Sequence, residues 1–197
     1  MKQIIFFFTL TILSVVSLFA QKAGWALDKA HSSIGFSVSH MVISEVTGNF
    51  KDFDISFTSS KEDFSDATVD ATIKVASVNT GNERRDGHMK TDDFFNSEKF
   101  PLITFKSTSF EKVGENKYNI TGNLTIRDVT KKVTFDAVYN GSVKAPWGVT
   151  VSSWKATLSV NRFEYGLKWN KAIDTGGLIA GETVKITLNI EVDRPSA

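Results

Sequence analysis

Apolar and polar residues alternate along most of this chain, and the alternation limits its fold more than any other feature of the sequence. Successive side chains of a β-strand point to opposite faces of a sheet, so a period of two places the apolar side chains on one face. Such runs recur at residues 34–38, 53–57, 69–75, 103–105, 118–126, 133–139, 154–160 and 184–192. The sequence therefore predicts an all-β domain of about eight strands.

Turn-forming residues separate many of these runs, at Gly114-Glu115-Asn116, Arg127-Asp128, Asn140-Gly141, Pro146-Trp147-Gly148 and Gly176-Gly177. Short connections of this kind join antiparallel neighbours and leave no room for helical crossovers. Without helices to cover a second face, the sheet must form a sandwich or close into a barrel, and closure also removes unpaired edges. An eight-stranded barrel is wide enough to be filled by side chains or to hold one small ligand.

One polar segment interrupts the strand pattern and predicts a short helical excursion. The sequence Thr80-Gly81-Asn82-Glu83 has the spacing of a capping box, in which side chains bond the first free N–H groups of a helix. We therefore expect a helix over residues 83–90, although Gly87 lowers the helix propensity of this segment.

The first twenty residues are typical of a signal peptide. Lys2 precedes an apolar stretch from Ile4 to Val16, and the small residue Ala20 stands just before the polar Gln21. A transmembrane anchor needs about 20 predominantly apolar residues, and this stretch is shorter. We therefore expect residues 1–20 to be removed on export, leaving residues 21–197 as one domain in the periplasm or outside the cell.

The charge and the cysteine content of the mature chain exclude several classes of protein. Removal of residues 1–20 takes away one of 23 basic residues, which leaves 22 basic and 22 acidic residues and no net charge. This balance gives no electrostatic basis for binding nucleic acid or an anionic membrane. The chain has no cysteine, which excludes disulfides, thiolate metal sites and a cysteine nucleophile.

Three local patterns are more specific than the alternation. They are WALDKAHSSIGFSVSH at 25–40; RDGHM at 85–89 with DFF at 93–95 and FPLITFKS at 100–107; and LTIRDVTK at 124–131 with NRFEYG at 161–166. In this combination and order, the chain resembles the YceI-like family of exported polyisoprenoid-binding proteins from about Trp25 to Val192. One departure is Asp128 of the Arg127-Asp128 pair, where the family pattern favours glycine; aspartate also tolerates turn conformations.

The resemblance implies a lipocalin-like extended antiparallel β-barrel whose elongated internal cavity takes a polyprenyl chain or a similar long apolar ligand. It also implies a periplasmic protein without enzymatic activity or cofactor, not integral to the membrane, which in this family is often a homodimer. The ligand would be a polyprenyl phosphate or an isoprenoid quinone, held for carriage or storage.

The apolar strand faces supply candidate residues for the tail of such a ligand. Twelve of the 16 phenylalanines remain after residues 1–20 are removed, since four lie within that segment. Flat, rigid, apolar rings suit a hydrocarbon tail, but they suit a packed core equally well. We expect tail contacts from Ile34, Phe36, Val38, Phe53, Phe57, Ile73, Phe94, Phe105, Ile120, Leu124, Phe135, Trp154, Leu158 and Ile186.

A polar cluster is the candidate site for the head group. Arg85 and His88 lie on the expected helix, and His31 flanks the first strand run. A guanidinium and an imidazole at a barrel mouth could hold a pyrophosphate or a quinone, the guanidinium doing so bidentately. The alternative is structural: Arg85 and Asp86 would then form pairs that pin the helix to the barrel.

Other functions have weaker support in the sequence. His31, His40 and His88 could bind zinc, but they contain no two-histidine helical pair, and we expect no metal. A hydrolase built on Ser32, His31 and Asp86 is disfavoured, because adjacent strand residues point to opposite faces and no nucleophile elbow surrounds the serine. An outer-membrane barrel is disfavoured because the apolar residues run along whole strands instead of forming aromatic girdles. The remaining alternative is a solid-cored periplasmic β module that acts in stress response or binds a partner.

Overall fold

The structure is a computed structural model, and it describes residues 24–172 and 176–195. The expected signal peptide lies outside these residues. The described residues form ten strands and one α-helix: β1 Gly24–His40, β2 Ser44–Phe50, β3 Phe53–Thr58, β4 Thr68–Lys74, β5 Val78–Asn79, α1 Glu83–Met89, β6 Leu102–Lys112, β7 Lys117–Ile126, β8 Val129–Lys144, β9 Val149–Asn161 and β10 Ala180–Pro195. Short 3-10 helices span Val75–Ser77 and Arg162–Tyr165.

The strands form one antiparallel sheet that closes into a barrel. The order of hydrogen-bonded neighbours is β10-β9-β8-β7-β6-β4-β3-β1-β2-β5, and β1 also pairs with β10. This last pairing closes an eight-stranded barrel, in which the long β1 contacts β3 at its start and β2 along its second half. The predicted all-β antiparallel barrel of about eight strands with one helix is confirmed.

The sequence alternation corresponds to the inside and outside of this barrel. Along β3, Phe53, Ile55 and Phe57 are buried, whereas Asp54 and Ser56 between them are exposed. The same strand pairs in register with β4, so its buried residues face those of its neighbour across the ladder. The apolar faces therefore meet in the barrel interior, and the polar faces meet water.

Helix α1 forms where the sequence predicts it, but its N-cap is Asn82 and not Thr80. The Asn82 side chain accepts a hydrogen bond from the backbone N–H of Arg85 at 3.0 Å. Gly81, between Thr80 and Asn82, has a φ of 74°, a left-handed conformation that separates Thr80 from the helix. The helix expected over residues 83–90 is thus found at Glu83–Met89, and only its N-cap differs, by two positions, from the one that the capping-box spacing implies.

One end of the barrel is closed by a cluster of aromatic rings, which we call the aromatic plug. Phe64 lies between β3 and β4 and folds over this end, where its ring centroid is 4.9 Å from that of Trp154 and 5.1 Å from that of Tyr139. The plug consists of Trp25, Phe57, Phe64, Phe110, Tyr118, Tyr139 and Trp154. The edge-on and tilted ring contacts fill this half of the interior.

Candidate functional site: an apolar cavity and its mouth

The half of the barrel opposite the aromatic plug contains a cavity of about 190 Å³. A single enclosed water needs a cavity of roughly 10–15 Å³, and packed cores keep few voids larger than one water. Side chains from most strands of the barrel, together with Met89 and Phe94, form its wall. Among the described residues of this wall, Arg162 and Tyr165 are the only ones with polar side chains. The cavity therefore suits an apolar guest.

Ten of the fourteen residues expected to contact a ligand tail line this cavity: Ile34, Phe36, Val38, Ile73, Phe94, Phe105, Ile120, Leu124, Phe135 and Ile186. The structure places the other four outside the cavity wall. Phe57 and Trp154 belong to the aromatic plug, Phe53 is buried elsewhere in the core, and Leu158 packs against the core from a partly buried position.

The two polar residues of the cavity wall differ in their hydrogen bonds. Arg162 is 4% exposed and donates hydrogen bonds to four backbone carbonyls, those of Leu167, Trp169, Ala180 and Gly181, at 2.6–2.9 Å. Burial lowers the pKa of this guanidinium, although an arginine stays protonated at neutral pH. Arg162 thus fixes the loop after β9 to the start of β10 at the rim of the barrel.

The second polar wall residue, Tyr165, is 2% exposed and its hydroxyl has no hydrogen-bond partner among the described residues. Burial raises the pKa of this phenol, so it is neutral at physiological pH. Its ring contributes an apolar surface to the wall.

A wider basin lies above the cavity at the mouth of the barrel, with a volume of about 560 Å³. This mouth basin is lined by Phe36, Val38, Ser39, His40, Val46, Asn82, Arg84, Arg85, His88, Met89, Phe94, Trp169, Ile179 and Ala180. It shares Phe36, Val38, Met89, Phe94 and Ala180 with the cavity. The cavity and the basin are therefore neighbours, separated by a partition of apolar side chains.

Two of the three predicted head-group residues, Arg85 and His88, lie in the mouth basin. Arg85 is already engaged, because its Nε donates to the Thr80 hydroxyl at 2.7 Å and its second amino group to the Thr80 carbonyl at 2.9 Å. His88 Nε2 lies 2.7 Å from an Asp93 carboxylate oxygen. Its ring packs edge-on against Trp169, with centroids 5.4 Å apart.

Arg84 is the cation of the basin that the head-group prediction left out. It is exposed on helix α1 and has no hydrogen bond or ion pair within residues 24–172 and 176–195. The sequence carried a signal for it, since Arg84 and His88 are four residues apart and share one helix face.

His31, the third predicted head-group residue, does not lie at the mouth. It lies nine residues before His40 on the same strand β1, and neither the cavity nor the basin includes it. Its Nδ1 lies 2.8 Å from an Asp28 carboxylate oxygen, and this hydrogen bond raises the pKa of His31. The structure therefore brings Arg85 and His88 together and separates them from His31. The zinc set of His31, His40 and His88 does not converge for the same reason.

The model of the YceI-like domain matches residues 25–192 of this chain. The chain belongs to the YceI-like family. UPF0312 protein SA2479 of Staphylococcus aureus strain N315 is 40% identical over 168 residues, which cover 85% of this chain and 95% of the relative.

Solved structures of related proteins share the fold. The YCEI protein of Campylobacter jejuni is 34% identical, with a TM-score of 0.66 and coverage of 87% of this chain and 97% of the other. A polyisoprenoid binding domain from Saccharophagus degradans has a TM-score of 0.60 at 18% identity, covering 89% of this chain and all of the domain (100%). At that identity the likeness concerns the fold alone.

Several signature residues of this YceI-like chain hold its backbone together. Arg127, which has a left-handed φ of 56°, donates to the carbonyls of Asp92, Phe94 and Gly166 and pairs with the Asp92 carboxylate at 2.7 Å. Asp86 accepts hydrogen bonds from the Thr80 backbone N–H at 2.9 Å and from its hydroxyl at 2.6 Å. These contacts fix the segments that surround the mouth of the barrel.

The described part of this YceI-like chain contains no helix with the length and apolar character needed to cross a membrane.

Proposed function

We propose that this protein binds a long apolar ligand, a polyisoprenoid such as a polyprenyl phosphate or an isoprenoid quinone, inside the barrel. The observation that carries the proposal is the apolar cavity of about 190 Å³ in the half opposite the aromatic plug. A solid-cored module, the alternative function class, would leave no such void. The polyisoprenoid binding domain from Saccharophagus degradans, which shares the fold, supports the choice of ligand.

The tail would enter from the mouth basin and end against the aromatic plug. Removing hydrocarbon from water contributes about 0.8 kcal/mol for each methylene. A tail of forty carbons would total about 32 kcal/mol by simple addition, beyond the limit of real affinities near 18–21 kcal/mol. A long tail would therefore be only partly buried, with its remainder in the mouth basin beyond the partition formed by Met89 and Phe94.

The head group would lie in the mouth basin. Within residues 24–172 and 176–195 the whole Arg84 guanidinium is without a hydrogen-bond partner, and His88 and Arg85 line the same basin. An anionic phosphate or the carbonyl oxygen of a quinone would accept hydrogen bonds from the Arg84 guanidinium.

The cellular role follows from the same proposal. Export by the signal peptide of residues 1–20 would deliver the protein to the periplasm, where it would carry or store its lipid without chemical change. The homodimer implied by the family resemblance stays a prediction.

The first test is native mass spectrometry of freshly purified protein, followed by extraction and identification of the lipid. We expect a bound hydrophobic species. After the lipid has been removed, the protein should bind added squalene and added polyprenyl phosphate. A protein that repeatedly yields no lipid and then binds neither compound would exclude the proposal.

The head-group position is tested by comparing two ligands with the same kind of tail. Arg84→Gln should weaken the binding of polyprenyl phosphate more than the binding of squalene, which has no head group. Lys106→Gln is the matched control, because it removes the same charge from an exposed position on β6 outside the basin. Equal loss for both ligands in Arg84→Gln would contradict this position of the head group.

A further inference from the structure

The seam that closes the barrel contains an irregularity on its outer face. Asp28 of β1 pairs with Glu191 of β10, and the next pair is Ser33 with Asn189. Four residues of β1, 29–32, therefore lie opposite the single residue 190, which makes a large bulge in this ladder. The ladder hydrogen bonds between β1 and β10 are interrupted at this point.

Hydrogen bonds hold this bulge in one conformation. One Asp28 carboxylate oxygen accepts from the backbone N–H groups of Ala30 at 2.9 Å and His31 at 3.2 Å. The Ser32 hydroxyl accepts from the Glu191 backbone N–H at 2.9 Å. These contacts tie the Asp28 carboxylate to the backbone of the bulge and the Ser32 hydroxyl to the backbone of β10.

Three potential metal ligands meet on this bulge. One nitrogen of His31 and one carboxylate oxygen each of Asp28 and Glu191 all lie within 4.8 Å of one another. The His31 side chain is 69% exposed, so an ion can reach it from solvent, whereas the Asp28 side chain is 26% exposed.

Apart from His31, which pairs with Asp28 at 2.8 Å, no basic side chain of the described residues forms an ion pair with the carboxylates at this place. Within the described ranges, neither Asp28 nor Glu191 forms an ion pair with lysine or arginine. Asp193 lies two residues after Glu191, on the same face of β10, and its buried Oδ1 has no hydrogen-bond partner. Neighbouring carboxylates repel one another and a buried carboxylate oxygen without a partner is costly, and a nearby cation would reduce both costs.

We propose that Asp28, His31 and Glu191 form a binding site for a divalent transition-metal ion, with Zn²⁺ as the best match. One imidazole nitrogen and two carboxylate oxygens are a donor set that zinc accepts, at distances of roughly 2.0–2.2 Å. Ligand atoms already within 4.8 Å of one another need only small rotations to reach such distances. The ion would link β1 to β10 where the bulge interrupts their hydrogen bonds.

This site is separate from the proposed lipid site, and its ligands were not the set suggested by the sequence. The three histidines of the chain do not converge, whereas His31 has two carboxylates as neighbours. An ion at the seam would stabilise the closed barrel, because it binds the folded arrangement and not the unfolded chain.

The test is calorimetric titration of EDTA-treated mature protein with ZnCl₂, together with thermal unfolding with and without the ion. We expect saturable binding of one Zn²⁺ per chain and a higher Tm in zinc. Both effects should be lost in His31→Ala and in Glu191→Gln, and both should persist in His40→Ala, the matched histidine control. Squalene binding in each variant checks that the barrel has folded.

The proposal is overturned if the unsubstituted protein shows no saturable zinc binding. It is also overturned if folded His31→Ala and Glu191→Gln both bind zinc as before, or if His40→Ala alone abolishes binding. The use of two ligand variants keeps the test valid if one of them does not fold.

Discussion

Ala156 and Ala137 offer a matched pair for testing whether the barrel is hollow. They face each other across the β8–β9 ladder, and both are buried, with exposures of 7% and 3%. Ala156 lines the cavity, whereas Ala137 packs in the core outside it. The same substitution to phenylalanine therefore places a ring into a void at one position and into packed side chains at the other.

The structure sets the expected magnitudes. A dry apolar cavity of about 150 Å³ is known to accept a benzene ring, and the cavity beside Ala156 is about 190 Å³. Burying a phenylalanine side chain gains roughly 1.5–3 kcal/mol, whereas overpacking a filled core costs roughly 1–3 kcal/mol. We expect Ala156→Phe to leave the free energy of unfolding unchanged or raise it by up to about 2 kcal/mol. Ala137→Phe should lower it by roughly 1–3 kcal/mol.

Ala156→Phe should also weaken ligand binding. A ring that displaces as few as two tail methylenes from the cavity costs about 1.6 kcal/mol, or about a tenfold loss of affinity. Chemical denaturation measures the stability of both variants, and titration with squalene measures binding. Equal destabilisation by both substitutions would show that no usable void exists. Unchanged squalene affinity in Ala156→Phe would show that the ligand binds elsewhere.

Two further predictions concern the rim of the barrel. Arg162→Leu leaves buried carbonyls without donors and should lower the free energy of unfolding by roughly 2–4 kcal/mol in denaturant titrations. The control Arg84→Leu, at an exposed position, should change it by less than about 0.5 kcal/mol. Similar effects of the two substitutions would refute the structural role of Arg162. Hydrogen bonds from the Asn96 amide and then Arg127 lower the pKa of Asp92, so their contribution is complete above the ordinary carboxyl pKa of about 3.9 and is lost as pH falls below it. The protection of segment 90–100 from hydrogen exchange, taken relative to the intrinsic exchange rate at each pH, should therefore fall on acidification in the native protein but not in Asp92→Asn, and the same fall in both would refute the assignment.

The alternation was sufficient to predict an antiparallel sheet with one apolar face, because side chains on one face of a strand repeat every two residues. The choice of a barrel over a sandwich came from the family resemblance. The alternation did not give the position of a side chain along the barrel axis. Phe57 and Phe105 both lie on inward faces, yet Phe57 belongs to the aromatic plug and Phe105 to the cavity wall. Phe64 shows the same limit more strongly, since it reaches the plug from a loop outside any alternating run.

The head-group site was harder to predict, because hydrogen bonds within the protein, and not the alternation of the sequence, decide which side chains remain free to bind a ligand. Arg84 and Arg85 are neighbours in sequence and chemically identical, but Arg85 is held by Thr80 while Arg84 remains exposed. The structural alternative for Arg85 and Asp86, that they pin the helix, agrees with these contacts. His31 illustrates a different limit, since a bulge of four residues cannot be read from alternation.

The division of the barrel into a filled half and a hollow half has a consequence for recognition. The aromatic plug closes one end of the described barrel, so the proposed ligand would enter and leave from the end that carries the mouth basin. In the proposed complex, the tail would bind with its free end innermost, and its polar group would lie near Arg84. Because the cavity wall is almost entirely apolar, it cannot distinguish one hydrocarbon from another by hydrogen bonding. Selectivity must then come from the shape and flexibility of the tail and from the contacts of the head group at the mouth.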